Sequence, residues 1–388
     1  MSVKTLFISH SAGRTGAPIA LLYILQWLKT NTPIEFEVLL REGGTLESQF
    51  KSLGSTTVCT PPGPRHGPAS KLACLLPNPF AESSRYMRHL TNAYRSRGIR
   101  LVYSNTITNG ELLSGLSGLD CPVICHVHEL DYWIIQCGTR NLQLVKQHTD
   151  QYVAASEAVK RNLVEHHGIP SQKIDVVHES IPIVVDPQGH MKRNDVRRAL
   201  GIPAGALVVG GAGTETWRKG KDLFIQLALL VSKEWQATPI HFVWVGPHQN
   251  QQDRYELAHD VRHAGLSPIL HFVGEVSNPL DYFSAFDIFA MVSREDPFPL
   301  VCLEAAALGK PIVCFGDAGG VPEFVENDAG VVVPYLDVPA MASEVLTLAC
   351  DRRLREAMGN RGAKKARQRH DIAIAGPQIL RVIDSCLS

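Results

Sequence analysis

A chain of 388 residues exceeds what one ordinary hydrophobic core organises, so two domains are the first expectation. Hydrophobic residues make up 45% and charged residues 20%, a balance that excludes an intrinsically disordered chain. With 38 basic and 38 acidic residues the formal net charge is zero, and bulk electrostatic attraction to nucleic acid is not expected. The N-terminal segment Met1 to Ser9 reads directly as a strand without a secretory leader, and no apolar run reaches the ~18 residues of a membrane helix. A cytoplasmic protein is expected. Nine cysteines lie scattered through mostly apolar stretches, and Cys121 and Cys125 have no second pair, which points to reduced thiols rather than zinc.

In chain order, apolar and β-branched runs predict strands at Val3–Ser9, Phe36–Leu40, Thr56–Cys59, Leu101–Ser104, Val123–His128, Tyr152–Ala155 and Ile174–His178. Helical patterns fall between them at Pro18–Lys29, Leu46–Leu53, Ser84–Arg97, Gly110–Leu116 and Glu157–His167. After a Pro- and Gly-containing stretch the alternation restarts. Strands are predicted at Leu207–Gly210, His241–Val245, Leu270–Val273, Phe286–Val292, Ile312–Phe315 and Gly330–Val333. Their helices are Lys221–Glu234, Asp253–Ala264, Leu300–Leu308 and Ala340–Ala349. Strand alternating with helix is the signature of a parallel sheet wrapped on both faces. The expectation is α/β: two doubly wound, Rossmann-like domains, residues 1–180 and 181–371, with a hinge near 180–190 and ligands in a cleft between them.

The densest chemistry lies at residues 293–326. A charged loop (Arg294, Glu295, Asp296) follows a strand, Pro297 and Pro299 bracket Phe298, and a helix begins. Proline suits a helix start, leaving the N–H groups of Leu300, Val301 and Cys302 without helical partners. Those donors and the helix dipole make an anion site suited to phosphate. Glu304 stands one turn on, and Asp296 precedes the helix, so two carboxylates flank that site, as a nucleotide sugar would require. Residues 211–220 form a Gly-rich turn between strand and helix, in which Gly213 allows close backbone approach and Arg218 and Lys219 neutralise a diphosphate. Thr216 occupies the third glycine position of a nicotinamide-type motif, which disfavours a dehydrogenase. In His126-Val-His128 the two imidazoles share one strand face, but no third ligand has metal-site spacing.

The segment Asp296-Pro-Phe-Pro-Leu-Val-Cys-Leu-Glu-Ala305 resembles the Glu-x7-Glu motif of the retaining glycosyltransferases of family 4, which have the GT-B fold. It departs from the family's acid-Gly-Phe-Gly-Leu-Val-x-x-Glu-Ala pattern in its shorter acid and in Pro299. The resemblance implies that Asp296 orients sugar hydroxyls, Glu304 holds the ribose, Lys219 stabilises the leaving diphosphate and His128 contacts the donor sugar. The implied donor-binding set is Gly16, Gly213, Arg218, Phe298, Leu300 and Val301, Gly16 lying in a loop similar to the family's N-terminal Gly-Gly loop. The family's arginine six residues before the phosphate lysine is absent; Gly213 stands there. The turn Gly319-Gly320 with Glu323 resembles a donor-pocket wall, and residues 372–388 resemble a closing helix that crosses back to the first domain.

The expected activity is transfer of a sugar from a nucleotide-diphosphate sugar to a hydroxyl acceptor, a glycan, a lipid-linked sugar or a small molecule, with no cofactor and no metal. A sugar-nucleotide epimerase of the same fold and a non-enzymatic nucleotide-sugar binder are the alternatives. Residues 51–100 carry eight cations against one acid, Glu82. Arg85 and Arg88 share a helical face, and Tyr86, Leu90 and Tyr94 share another. A basic amphipathic segment of this kind, residues 65–100, can rest on the anionic inner face of a membrane or grip an anionic glycan; an ordinary solvated helix is the alternative.

Overall fold

Every predicted strand forms, and each pairs with its neighbours in parallel. The computed structural model describes residues 4–59, 79–183, 193–214, 216–248 and 250–387. Seven strands make the first sheet: β1 (Lys4–Ser9), β2 (Glu35–Leu40), β3 (Ser55–Val58), β4 (Ile99–Ser104), β5 (Val123–Val127), β6 (Gln151–Ala154) and β7 (Ile174–Val176), ordered β3-β2-β1-β4-β5-β6-β7. Six make the second: β8 (Leu207–Ala212), β9 (Ile240–Val245), β10 (Leu270–Gly274), β11 (Ile288–Met291), β12 (Ile312–Phe315) and β13 (Gly330–Val333), ordered β10-β9-β8-β11-β12-β13. The central strands are covered on both faces, and β8 and β9 are buried at every residue, whereas the edge strand β3 is exposed or half-buried along its length. Strand order reverses between β1 and β4 in one sheet and between β8 and β11 in the other, and the carboxyl ends at such a reversal form a ligand crevice.

The chain divides into two units. The first comprises Met1–His178 with Ala375–Ser388, the second Glu179–Ile374. Most of the expected hinge, residues 184–190, lies outside the described residues. In the second unit its entering and leaving segments pair: Ile181 bridges Asp371, with Ile181 N–H donating to His370 O and Ile372 N–H to Ile181 O, both at 3.0 Å.

Several helices are absent from the sequence reading, the longest being Arg352–Arg369. It lacks an apolar stripe and packs through small residues instead, on the helix Leu300–Ala307 and its flanks. A Cβ on Gly359 would stand 2.0 Å from Gly309 O. Asp351 caps its first turn by accepting from Leu354 N at 2.9 Å.

The helix Pro79–Ser96 corrects one expectation. Tyr94 is fully buried, Leu90 nearly so, and Tyr86 packs against the same core cluster, so this apolar face belongs to the interior of the first unit. Arg85 and Arg88 are exposed. The apolar patch at 72–76 and the cations Arg65 and Lys71 lie outside the described residues, as does the side chain of Glu82.

Candidate functional site

At the reversal point of the second sheet, the loops after β8 and β11 are hydrogen-bonded together. Arg294 N–H donates to Arg218 O (2.8 Å), and Arg218 Nη1 donates to Glu295 O (2.7 Å). The Arg294 guanidinium forks onto both oxygens of Asp222 (2.8 and 2.6 Å), donates to Trp217 O and lies 5.1 Å over the Trp217 ring. Burial pushes the Asp222 carboxyl upward, but the Arg294 bonds and charge outweigh it and hold the group below its ordinary range. Gly213 has φ +145 and Gly220 φ +75, conformations that side chains rarely adopt, and a Cβ on Gly220 would meet Val292 O at 2.0 Å. These glycines let the two loops close on one another.

Lys219 reaches through this closure to Asp296. Its Nζ is ion-paired with Asp296 Oδ2, which also accepts from Ser293 Oγ at 3.2 Å, while Arg218 Nη1 stands 3.8 Å from Asp296 Oδ1. Asp296 is only 4% exposed. Burial lowers the pKa of Lys219, with Asp296 opposing it. The backbone of Asp296 is fixed by the expected Gly-Gly turn: its N–H donates to Ala318 O (2.6 Å), and its carbonyl accepts from Gly320 N (3.1 Å).

The helix that follows spans Leu300–Ala307, with Pro299 as its N-cap and no side-chain cap. One expectation changes here: the Cys302 N–H is occupied by Pro299 O at 3.1 Å, and Leu300 and Val301 lead the donors of the first turn. The Cys302 thiol is buried, and burial first, then the Asp296 charge, pushes it well above its ordinary pKa, which excludes it as a nucleophile. Glu304 is half-buried one turn along. The ring of Phe298 stacks on His370 (5.2 Å, 24°) and is 4% exposed, so it packs the loop from beneath, and its side chain presents almost no surface to a ligand.

The reversal point of the first sheet gathers amide, imidazole and hydroxyl groups around one buried carboxylate, Glu129. Asn105, just past β4, donates through Nδ2 to Ala17 O (2.7 Å) and faces His128 Nε2 through Oδ1 (3.1 Å). Because only the amide nitrogen can serve a carbonyl, the oxygen must face the imidazole, and His128 carries its proton on Nε2. The ring of His126 lies 4.0 Å from that of His128, its Nδ1 2.8 Å from Tyr103 Oη. Burial keeps His126 neutral, far below its ordinary pKa, and its Nε2 has no hydrogen-bond partner. Glu129 accepts from Thr106 Oγ1, Ile107 N (3.3 Å) and His128 N (2.9 Å), tying the ends of β4 and β5. Gly16 opens the helix Gly16–Asn31, and a Cβ there would meet nothing within 4 Å.

The structure thus gathers Gly213, Arg218, Lys219, Asp296, Leu300, Val301 and Glu304 in the second unit, and Gly16 and His128 in the first. Sequence reading missed Asn105, Glu129, Ser293 and the Arg294–Asp222 clamp. Ser104-Asn-Thr106 at a strand end was the visible signal for the first of these. Among the described residues, no cluster of three or more His, Cys, Asp or Glu has metal-binding geometry.

Two Rossmann-like units, with buried charge at the reversal point of the second, define the GT-B class of fold. The chain belongs to the family 4 glycosyltransferases: residues 52–183 match the model described as Glycosyltransferase Family 4, and residues 204–351 match the one described as Glycosyl transferases group 1. It is 29% identical over 231 residues to a D-inositol 3-phosphate glycosyltransferase of Corynebacterium kroppenstedtii, covering 58% of this chain and 51% of that protein. It is 33% identical over 175 residues to the lipopolysaccharide core biosynthesis mannosyltransferase LpsB of Rhizobium meliloti, covering 43% and 49%. The chain spans about half the length of the curated relatives it matches. In fold it is similar to HepE from Anabaena, solved in complex with UDP and glucose, with a TM-score of 0.81, 21% identity and 99% and 100% of the two chains covered. A sucrose-phosphate synthase of Thermosynechococcus elongatus gives 0.75 at 16% identity, with 99% of each chain covered.

Proposed function

We propose that this chain is a retaining, metal-independent glycosyltransferase that moves a sugar from a nucleotide-diphosphate sugar to a hydroxyl acceptor. The observation that carries the reading is the buried Lys219–Asp296 pair with Arg218, at the reversal point of the second sheet and beside an uncapped helix start. Departure of a nucleoside diphosphate concentrates negative charge on its terminal phosphate. Lys219, Arg218 and the first-turn N–H groups of Leu300 and Val301 are preorganised donors for that charge. They also perform the task a divalent ion would otherwise perform. Glu304 accepts the ribose hydroxyl protons, and His128 contacts the donor sugar. Retention is supported by the motif resemblance; the names of the curated relatives support a small-molecule acceptor in one case and a lipopolysaccharide glycan in another. The UDP and glucose of the HepE complex make UDP-sugars the first donors to test.

No helix among the described residues is long and apolar enough to cross a membrane. We place the activity in the cytoplasm, with peripheral contact at the inner membrane face through exposed cations of the 65–100 region. The deciding experiment is a calorimetric or thermal-shift screen of nucleoside diphosphates and their sugars, followed by product analysis with and without acceptor, and with EDTA. Binding of a nucleoside diphosphate and acceptor-dependent product that persists in EDTA is expected. Interconversion of the donor sugar without acceptor would favour an epimerase, and loss of turnover in EDTA restored by Mg²⁺ would remove metal independence.

A further inference from the structure

The motif resemblance assigns Asp296 to the hydroxyls of the donor sugar, but its surroundings are those of a counter-ion. Oδ2 carries the ion pair to Lys219 and the 3.2 Å bond from Ser293 Oγ, and Oδ1 faces Arg218 at 3.8 Å. The carboxylate is 4% exposed, its backbone is held on both sides by residues 318–320, and the shortness of an aspartate arm draws it back onto the lysine. Lys219 meanwhile is too deeply buried to stay charged cheaply without a partner.

We propose that Asp296 is a positioning residue: it stands in for the phosphate in the ligand-free chain, holding Lys219 charged and aimed, and gives up that role to the incoming diphosphate. The inference rests on the reading that the site takes a nucleoside diphosphate. Its physical content is a competition. A carboxylate and a phosphate oxyanion cannot both be close to one ammonium without repelling each other, so Asp296 weakens diphosphate binding while it stabilises the empty site. What the chain gains is a lysine that is fixed before the ligand arrives and needs no reorganisation as charge develops on the leaving group.

The test compares wild type with Asp296→Asn, which keeps shape and removes charge, using pyrophosphate, UDP, GDP, UDP-glucose and GDP-mannose. The ligand-free variant should melt lower than wild type. It should bind the diphosphates about fivefold or more tighter, by the same factor with and without the sugar attached. Its turnover should fall nonetheless, because the lysine is no longer aimed. Unchanged UDP and GDP affinity with a selective loss of UDP-glucose or GDP-mannose would return Asp296 to the sugar and overturn the proposal. If Asp296→Asn does not fold, the double variant Lys219→Met/Asp296→Asn decides: recovery of a folded protein identifies the two as one pair, and continued failure to fold overturns it. Absence of binding of every probe to wild type sinks the functional reading itself, and this inference with it; a failure confined to the variant sinks only the role of Asp296.

Discussion

The two sheets reverse strand order at the same topological place, yet the groups gathered there differ in kind. At the carboxyl ends of β4 and β5 the chain places Asn105, two histidine rings, a tyrosine hydroxyl and one buried carboxylate, Glu129, which is held by hydroxyl and backbone N–H donors rather than by a cation. Past β8 and β11 it places two cations on a buried carboxylate and a guanidinium forked onto an exposed one, Asp222. A network of amide, imidazole and hydroxyl groups without a cation fixes direction, which suits the recognition of hydroxyls. A buried ionic one stores field, which suits a polyanion. One fold thus supplies two sites of different electrostatic character, one with paired cations and one without, and the difference comes from a handful of residues at the strand ends rather than from the sheets.

The contrast breaks most visibly at Lys219. Lys219→Met removes the central cation and leaves Asp296 buried without its partner, which should cost roughly 3–5 kcal/mol of stability and about 10²–10³-fold in turnover, read by denaturant unfolding and steady-state rates. Turnover within tenfold of wild type would mean the ionic site is not where charge develops. Glu304→Ala should weaken nucleoside diphosphate binding by roughly 1.5–3 kcal/mol, the scale of a charge-assisted hydrogen bond, in a calorimetric titration. Unchanged affinity in a folded variant removes Glu304 from the site.

Placing a second carboxylate in the first site, directly against an imidazole, is the sharper intervention. Asn105→Asp places a carboxylate against His128 and should raise its titration midpoint by about one unit, or ~1.4 kcal/mol, followed by NMR of the imidazole. A midpoint that does not rise would show that Asn105 and His128 are not coupled.

Acid should separate the two sites without mutation. His126 and His10 are held below the ordinary histidine pKa, by burial above all. The unfolded chain then takes up protons that the folded chain refuses, and stability is lost as pH falls below about 6.5. Asp222 is displaced below the ordinary carboxylate range, so its contribution is retained until pH falls through about 4. Protection against amide exchange, corrected for intrinsic rate, should therefore weaken for residues 123–129 at pH 5 relative to pH 7 and hold for residues 217–222. Equal loss in both segments would erase the distinction.

The smallest effect is expected at the surface. With the Tyr86–Leu90–Tyr94 face turned into the core, charge is what this helix offers a membrane, and Arg85→Glu/Arg88→Glu should reduce sedimentation with anionic vesicles only at low salt. Equal sedimentation of both proteins at low salt would discard the helix as a membrane contact.

Periodicity made all the strands legible, because runs buried on both faces are largely apolar, as in β8 and, His241 apart, β9. It did not give their order, and the partners of Asn105 depend on that order alone. The helix Arg352–Arg369 escaped notice because glycine and alanine, rather than a stripe of large apolar residues, make its buried face. At the site, spacing pointed to Lys219 and Asp296 separately. Their pairing across 77 residues exists only once β8 and β11 lie side by side. Phe298 shows the opposite failure: a motif position suggested a ligand contact, whereas the ring is occupied by His370, 72 positions away in a helix-terminal turn no motif includes.

The discontinuity of the first unit sets a timetable for synthesis. Its last segment, Ala375–Ser388, is translated after the whole of the second unit. That segment fits so closely that a Cβ on Gly376 would stand 2.2 Å from Cδ2 of Trp27. The roughly 200 intervening residues take about 10–40 s at ~5–20 residues per second, and throughout that interval the Trp27 flank of the helix Gly16–Asn31 lacks its covering. The second unit, being continuous, has its full sequence outside the ribosome first. The half of the protein that begins earlier is thus the half that finishes later, and it is the half whose nascent apolar surface a chaperone would have to shield.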